Sequence, residues 1–241
     1  MEKKRQFSSE ENNIIYNKNE IIEALKNNTL LKVIFKYGYK NRVLENLLKE
    51  NNIPFTYKDS SYFKNYPESY NIIAFISPVK IKDLNELKVN KDDIYVMALN
   101  IEDPHNFGAI IRSCEIFGVK GVLFPKRRGV TITPTVIKSS TGAIFNIDMY
   151  EFTGVNSAIK DLKNKGLWIV SLDMNAKDYL SNFKPIFPLL LIVGGEDRGI
   201  NLKVLEESDF ILKIKTFGRT HSLNASVSLG IALYEITKFK I

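Results

Sequence analysis

The chain has 241 residues, of which 34 are lysine or arginine and 27 are aspartate or glutamate, so its formal net charge is +7. With 44% hydrophobic and 25% charged residues, the composition is typical of a globular protein and excludes a disordered or fibrous one. One cysteine and two histidines exclude a disulfide scaffold and argue against a cysteine- or histidine-built metal centre, and no apolar run approaches the roughly 20 residues that cross a bilayer.

Charge and the start of the chain bear on the partner and the compartment. An isoelectric point near 9.2 favours an anionic partner, with nucleic acid first, although net charge alone is also compatible with plain solubility. Residues 1–11 are polar and charged and contain no apolar signal core. We therefore expect a reducing, cytoplasmic compartment, no membrane association and no bound metal.

The first 80 residues alternate between helical and extended patterns. Residues 1–13 read as a polar tail. Helical spacing occurs at 19–27 and 43–49, and β-like runs occur at 31–37, 53–57 and 71–76. This alternation predicts a small α/β domain over residues 14–80. Residues 81–92 are charged and poor in large apolar side chains, which we interpret as a linker, the alternative being a surface helix within one domain.

From residue 93 the alternation restarts over a longer stretch. Continuous apolar runs at 94–99, 167–172 and 188–193 are typical of buried parallel strands. Further strands are predicted at 121–124, 144–150 and 210–214, and helices at 106–117, 133–139, 157–165, 203–207 and 223–239. The pattern predicts a mostly parallel sheet with helices on both faces.

Three segments do not read as ordinary connections. Residues 100–113, 193–200 and 218–234 each follow a predicted strand, and ligands bind at the carboxyl ends of parallel strands. The glycines at 194, 195 and 199 let the backbone approach a ligand closely, or they form a tight strand-to-helix turn. The segment lacks the GxGxxG spacing and the P-loop lysine, which argues against dinucleotide and Walker sites.

In order, the three segments carry Asp103-Pro104-His105-Asn106-Phe107-Gly108 with Arg112, then Gly194-Gly195-Glu196-Asp197-Arg198-Gly199, then Ile214 to Gly218 followed by Ser222-Leu223-Asn224-Ala225-Ser226-Val227. Together they resemble the motifs of the SpoU (TrmH-like) family of RNA ribose 2′-O-methyltransferases. The resemblance covers about the last 150 residues. The first 75 or so residues more faintly resemble the small α/β RNA-binding domain of many members.

The resemblance implies a fold, a cofactor and partners. It implies an α/β trefoil knot over residues 93–241, preceded by the RNA-substrate-binding domain at 14–80, in a homodimer that uses S-adenosylmethionine. The two-domain layout resembles the enzymes that methylate a guanosine of large-subunit rRNA, with tRNA as the alternative substrate. Two other readings stay open: a non-catalytic RNA-binding or ribosome-assembly factor of the same fold, and a generic nucleotide-binding α/β enzyme.

The resemblance also implies five catalytic residues: Arg112, Asn106, Glu196, Ser222 and Asn224. Arg112 would clamp a phosphate bidentately or, in a crowded cationic site, take the 2′-hydroxyl proton; the alternative is a surface ion pair. For Asn106, Ser222 and Asn224 the alternative is capping of a helix. For Glu196, which would pair with an arginine or face the RNA, it is a carboxylate at a helix N-terminus.

The same resemblance assigns the cofactor contacts, and the basic residues themselves suggest the RNA contacts. Six residues would contact S-adenosylmethionine, largely through the backbone: Gly194, Gly195, Gly199, Ile214, Gly218 and Leu223. Basic side chains on loops would meet RNA phosphates, namely Arg127, Arg128, Arg198 and Arg219, the alternative being solvated turns. We expect a buried, inert thiol at Cys114 and local hydrogen bonding at His105 and His221. Aromatic residues at 55–70 would pack or stack on unpaired bases.

Three positions depart from the family pattern. Lys215 stands where the third motif commonly has proline after its isoleucine, and Asp197 replaces a frequent glycine. Ser69-Tyr70-Asn71 stands where a His-Gln-Gly triplet is expected before the last strand of the small domain. The first departure bears on the adenosine slot, and the last bears on RNA specificity more than on catalysis.

Overall fold

A computed structural model describes residues 13–64, 66, 70–127, 129–195, 198–219 and 222–240. Expectations placed on residues 1–12, Ser69, Arg128, Glu196, Asp197 and His221 therefore lie outside the described residues.

The helices are α1 (Lys18–Lys26), α2 (Arg42–Glu50), α3 (Ser60–Phe63), α4 (Pro104–Ile116), α5 (Pro134–Ser139), α6 (Val155–Asn164), α7 (Leu202–Glu206) and α8 (Ala225–Thr237). The strands are β1 (Ile14–Ile15), β2 (Leu30–Lys36), β3 (Phe55–Lys58), β4 (Ile72–Ile76), β5 (Ile81–Asp83), β6 (Ile94–Leu99), β7 (Gly121–Pro125), β8 (Asp148–Phe152), β9 (Trp168–Leu172), β10 (Asp178–Tyr179), β11 (Leu189–Gly194) and β12 (Phe210–Lys213).

The first four strands form a small mixed sheet in the order β1-β4-β2-β3. Strand β4 runs antiparallel to β1 and β2, whereas β3 runs parallel to β2. The sequence patterns at 31–37, 53–57 and 71–76 predicted three of these strands, within two residues at either end. The two-residue strand β1 carries too short a pattern to be recognised.

The other eight strands form one sheet in the order β10-β12-β9-β11-β6-β7-β8-β5. Every pair is parallel, so the predicted mostly parallel α/β sheet is confirmed. Strand β6 is buried throughout because its side chains alternate between two cores. Val96 and Ala98 belong to a core that includes residues of α4 and α8, whereas Met97 and Leu99 belong to one that includes residues of α6 and α7.

Two predicted segments differ from the structure. Within 81–92, which we interpreted as a linker, β5 adds an edge strand parallel to β8. Leu84 and Leu87 are buried, and Lys165 Nζ donates to the carbonyl oxygen of Leu87 at 2.8 Å. Their burial overrides the polar composition on which the interpretation rested. The strand predicted over 144–150 begins only at residue 148, because a 3₁₀ turn occupies Ala143–Phe145 after the left-handed Gly142.

Direct contacts join the small sheet's helix α1 to the 3₁₀ turn that precedes β8. Asn146 Nδ2 donates to Glu23 Oε2 at 3.1 Å, and Asn27 Nδ2 donates to Asn146 Oδ1 at 2.6 Å. A Cβ atom on Gly142 would lie 2.9 Å from the Glu23 Cβ, so the two α/β parts pack too closely there for a side chain. On the same helix, burial raises the pKa of Glu20.

Candidate functional site

The candidate site lies at the carboxyl ends of the two central strands β6 and β11, which end side by side with Leu99 paired to Gly194. The Gly195 N–H donates to the Leu99 carbonyl at 2.8 Å, and the Gly199 N–H donates back to the Gly195 carbonyl at 2.8 Å. Asn100, in the left-handed region with φ 55°, donates from Nδ2 to the Gly199 carbonyl at 3.0 Å. The second motif is thus folded tightly against the start of the first.

Contacts between these two loops explain two of the glycines. A Cβ atom on Gly195 would lie 2.0 Å from the Asn100 carbonyl oxygen, and one on Gly194 would lie 2.4 Å from the Gly199 carbonyl carbon. Both distances are far below the roughly 3.5 Å at which non-bonded carbons first approach comfortably. The tight-turn alternative therefore accounts for both residues, and their contact with a cofactor stays a prediction.

In the first motif, one residue caps α4 and a different one contacts the third motif. Asp103, not Asn106, is the N-cap, since its carboxylate accepts from the His105 N–H at 3.0 Å and Pro104 takes the first helical position. The capping alternative for Asn106 is therefore wrong. Asn106 lies in the first turn, where its Oδ1 accepts from Asn224 Nδ2 at 2.9 Å.

The third motif meets the first through that amide pair. Asn224 is the N-cap of α8, and its Oδ1 accepts from the Ser226 N–H at 2.9 Å and from the Ser226 hydroxyl at 2.6 Å. Its Nδ2 then points to Asn106, so one side chain both caps the last helix and joins the site. Ser222 is exposed and is not the cap of α8.

A cavity of about 160 Å³ lies between the three motifs. Its lining consists of Asn100, Ile101, Glu102, Asp103, Asn106, Gly195, Arg198 and Ala225. It therefore places two carboxylates, one guanidinium and two amides around Gly195, in the loop that carries Gly194, Gly195 and Gly199 (the glycine loop). This combination suits a small ligand that carries both positive and negative charge.

Arg112 does not share this cavity. Six residues after Asn106, it faces another side of α4, because successive helical residues are rotated by about 100°. It lines a cleft of about 570 Å³ with residues of α1 and of the 141–146 segment, including Asn19, Glu23 and Thr141. The guanidinium is exposed and has no ion pair with any described residue, so the surface ion-pair alternative is not formed.

The remaining predicted residues lie around the rim or outside the described ranges. Ile214 is half-buried against the core. Five others are exposed and are not brought into the 160 Å³ cavity: Gly218, Leu223, Ser222, Arg127 and Arg219. Arg198 is exposed and does reach the cavity, whereas Glu196 and Arg128 lie outside the described residues.

The expectations for Cys114 and His105 are confirmed, and one loop residue was missed. Cys114 is fully buried, and burial raises the pKa of its thiol, which confirms the expectation of an inert group. His105 Nδ1 lies 3.1 Å from the Ser139 hydroxyl, which confirms local hydrogen bonding. Sequence reasoning missed Asn100, although an asparagine directly after a strand tolerates the left-handed conformation that the loop needs.

The described residues contain no group of three or more histidine, cysteine, aspartate or glutamate side chains placed to hold a metal ion. No helix formed by them is long and apolar enough to span a bilayer.

Comparison with known proteins agrees with the fold and the motifs. The model of the SpoU rRNA Methylase family matches residues 93–234. The chain is 30% identical over 240 residues to YacO of Bacillus subtilis (strain 168), a protein named as a TrmH family tRNA/rRNA methyltransferase, with 95% of this chain and 96% of that one covered.

Two solved structures share the fold. The first, described as an RNA 2′-O ribose methyltransferase, has a TM-score of 0.80 at 23% identity and covers 94% of this chain and 88% of its own. The second is the SpoU methyltransferase AviRb from Streptomyces viridochromogenes in complex with AdoMet, with a TM-score of 0.80 at 19% identity and coverage of 93% and 89%.

Proposed function

The chain belongs to the SpoU rRNA Methylase family, and from this membership we propose that it transfers a methyl group from S-adenosylmethionine to a ribose 2′-hydroxyl of RNA. The observation that carries the proposal is the convergence of the three motifs on one cavity, joined by the Asn106–Asn224 hydrogen bond. The relatives' names support tRNA or rRNA as the substrate. We favour a guanosine of large-subunit rRNA, with tRNA as the alternative.

The charged and polar groups that line the 160 Å³ cavity fit S-adenosylmethionine. Carboxylates of Glu102 and Asp103 can meet the positively charged groups of the cofactor, and the guanidinium of Arg198 can meet its carboxylate. The backbone of Gly194, Gly195 and Gly199 would hold the adenosine together with Ile214, Gly218 and Leu223. When bound, the cofactor supplies a methyl group already activated by its sulfonium.

The chain's own side chains would then align the ribose and assist its deprotonation. The Asn106–Asn224 pair is held by the starts of α4 and α8, so it can orient a hydroxyl with little loss of freedom. Arg112 suits a bidentate clamp on the neighbouring phosphate better than a base, because an arginine pKa exceeds about 12. Glu196 and Ser222 complete the proposed site.

We propose that the site is completed by a second copy of the chain. In one chain Arg112 and Asn106, which is hydrogen-bonded to Asn224, line different cavities. Four apolar side chains, between 36% and 57% exposed, recur along one face of α8 and just before it: Leu223, Val227, Ile231 and Tyr234. A helical face of this kind fits a self-complementary dimer contact, across which Arg112 would reach the partner's cavity.

The remaining parts of the proposal concern architecture and RNA. We propose that residues 14–80 bind the RNA substrate and that the C-terminal chain forms a trefoil knot, as in the family. Arg127, Arg128, Arg198 and Arg219 would contact phosphates, which predicts affinity that falls steeply with salt. The cytoplasm is the proposed location.

The proposal is tested by methyl transfer from methyl-labelled S-adenosylmethionine to separated rRNA and tRNA. Label on one RNA, lost in Arg112→Ala, is the expected result, and blockage of alkaline cleavage at the labelled nucleotide identifies the ribose 2′-oxygen. Lys160→Ala is the matched control, because Lys160 is an exposed cation on α6 without an ion pair among the described residues. Cofactor binding without transfer to unmodified RNA would favour a non-catalytic RNA-binding factor.

A mixing experiment tests the shared site. If Arg112 acts across a two-fold dimer, co-refolded Arg112→Ala and Asn106→Ala chains should recover about a quarter of wild-type activity, because half of the dimers are mixed and each has one intact site. If Arg112 acts within its own chain, every site in the mixture carries a lesion and activity stays at the level of the single variants.

A further inference from the structure

A short surface segment of the small sheet combines aromatic rings with cations. Residues 36–42 read Lys-Tyr-Gly-Tyr-Lys-Asn-Arg, with three cations, two tyrosines and no acid, and they connect β2 to α2. We infer that the exposed ring of Tyr37 is a stacking platform for an unpaired base of the RNA substrate. The inference rests on the proposed function and adds a binding residue outside the motifs.

The Tyr37 ring is the outer member of a row of rings that begins in the core. Its centroid lies 6.2 Å from that of Tyr57 with 18° between the planes, and Tyr57 lies 5.5 Å from Phe35 with 29° between the planes. Phe35 is fully buried. The core therefore backs the outer ring, which can receive a base without a large loss of side-chain freedom.

The backbone holds Tyr37 at the corner of a tight turn. The Tyr39 N–H donates to the Lys36 carbonyl at 3.0 Å, and the Tyr37 N–H donates to the Lys58 carbonyl at 2.8 Å. Gly38, with φ 85°, takes the third position of the turn, where a positive φ is required and glycine adopts it without strain. The turn ties the outer ring to the edge strand β3.

The ring of Tyr37 is open where comparable rings are covered. Tyr37 is 67% exposed, more than Tyr179 or Tyr234. Lysine ammonium groups lie over those two rings, at 5.0 Å for Tyr179 and 4.6 Å for Tyr234. Within the described ranges no cation lies over Tyr37, so its face is available to a base.

The surrounding charge selects the occupant. Lys40, Arg42 and Lys58 are exposed and have no ion pair with described residues. Cations beside an exposed ring are the combination that binds single strands, with phosphates on the cations and bases on the ring. A base within a duplex is already stacked, whereas a loop or bulge offers an unstacked base. The expected ligand is therefore a single-stranded segment of the RNA.

The inference is tested with the full chain by fluorescence anisotropy, without cofactor, on a labelled short single-stranded RNA and on a blunt RNA duplex of equal length. Tyr37→Leu should weaken binding to the single strand about 5- to 100-fold and leave duplex binding unchanged. Tyr37→Phe keeps the ring and should bind as the wild type does. Gly38→Ala, which strains the turn without removing the ring, should weaken single-strand binding. Leu31→Ala controls for loss of exposed apolar surface on β2.

The outcomes separate this inference from the proposed function. Single-strand affinity that is equal in Tyr37→Leu and the wild type overturns the platform, even where methyl transfer is intact. Equal losses on the single strand and on the duplex also overturn it, because they assign the effect to folding or to charge. If the variants show the expected dependence of single-strand binding on the Tyr37 ring but the wild type transfers no methyl group, the platform is retained and the proposed function is refuted.

Discussion

Replacing Gly108 by alanine is expected to destabilise the protein, although alanine is the better helix former. Gly108 lies inside α4, where a Cβ atom would be 2.3 Å from the Ser139 Cβ and 2.9 Å from both the Ser140 nitrogen and the Val136 carbonyl oxygen. All three neighbours lie on α5 or at its end. The added methyl group therefore forces the two helices apart.

The magnitude follows from two opposing effects. Reaching a carbon–carbon contact of about 3.8 Å requires the helices to separate by roughly 1.5 Å, and overpacking of this kind costs about 1–3 kcal/mol. The gain in helix propensity returns at most about 1 kcal/mol. Because two of the three neighbours are backbone atoms, we take the upper part of that cost, about 2–3 kcal/mol. The net loss is then about 1–2 kcal/mol, which lowers Tm by about 2–8 °C in a chain of this length.

Gly230→Ala is the matched control, because it also lies inside a 13-residue helix, where the nearest atom to its Cβ would be the Ser113 hydroxyl at 4.0 Å. With space available, this variant should gain about 0.5–1 kcal/mol. Thermal and urea unfolding of both variants and the wild type measure the difference. A Gly108→Ala chain as stable as the wild type, or more so, would refute the packing argument.

Three further predictions concern the site and the pH dependence of stability. Gly195→Ala should abolish binding of S-adenosylmethionine in calorimetry, because its Cβ would lie 2.0 Å from the Asn100 carbonyl oxygen; unchanged affinity would contradict this. Asn224→Asp keeps the acceptor that caps α8 but removes the donor to Asn106. Tm should therefore change little, while methyl transfer falls at least tenfold (about 1.4 kcal/mol). A fall in methyl transfer that is accounted for by a fall in Tm would favour a capping role alone. Burial raises the pKa of Glu20, so the folded state binds more protons at this carboxyl than the unfolded state does. The contribution of Glu20 to stability therefore falls as the pH rises above the ordinary pKa of a glutamate. Glu20→Gln should gain stability relative to the wild type as the pH is raised from acidic to neutral, which unfolding at several pH values would show.

The large sheet was predictable because its strands are buried on both faces. Runs such as residues 94–99 contain no charged residue and are apolar almost throughout, and a parallel strand between two layers of helices requires that pattern. The edge strands β5 and β10 were not predicted, because an exposed edge strand carries charged side chains and is too short for a pattern. Their pairing depends on neighbours that are distant in sequence.

At the site, sequence order located the motifs but not their mutual geometry. The spacing of Asn106 and Arg112 puts them on different sides of α4, but it did not show which elements surround Arg112, because that depends on how α1 and the 141–146 segment pack around α4. Likewise the glycines at 194 and 195 were expected to admit a ligand, whereas the nearest atoms belong to Asn100 and Gly199. Only the folded backbone reveals which atoms occupy the space that a side chain would need.

The contact between Gly195 and Asn100 also constrains the order of folding. The hydrogen bonds of the glycine loop to Leu99 and Asn100 join residues almost 100 positions apart in the chain, and contacts between such distant residues form more slowly than local structure does. Opening this loop in the native protein exposes the end of the central strand pair. A ligand that binds the closed loop would therefore protect amides of β6 and β11 from hydrogen exchange well beyond the atoms it touches.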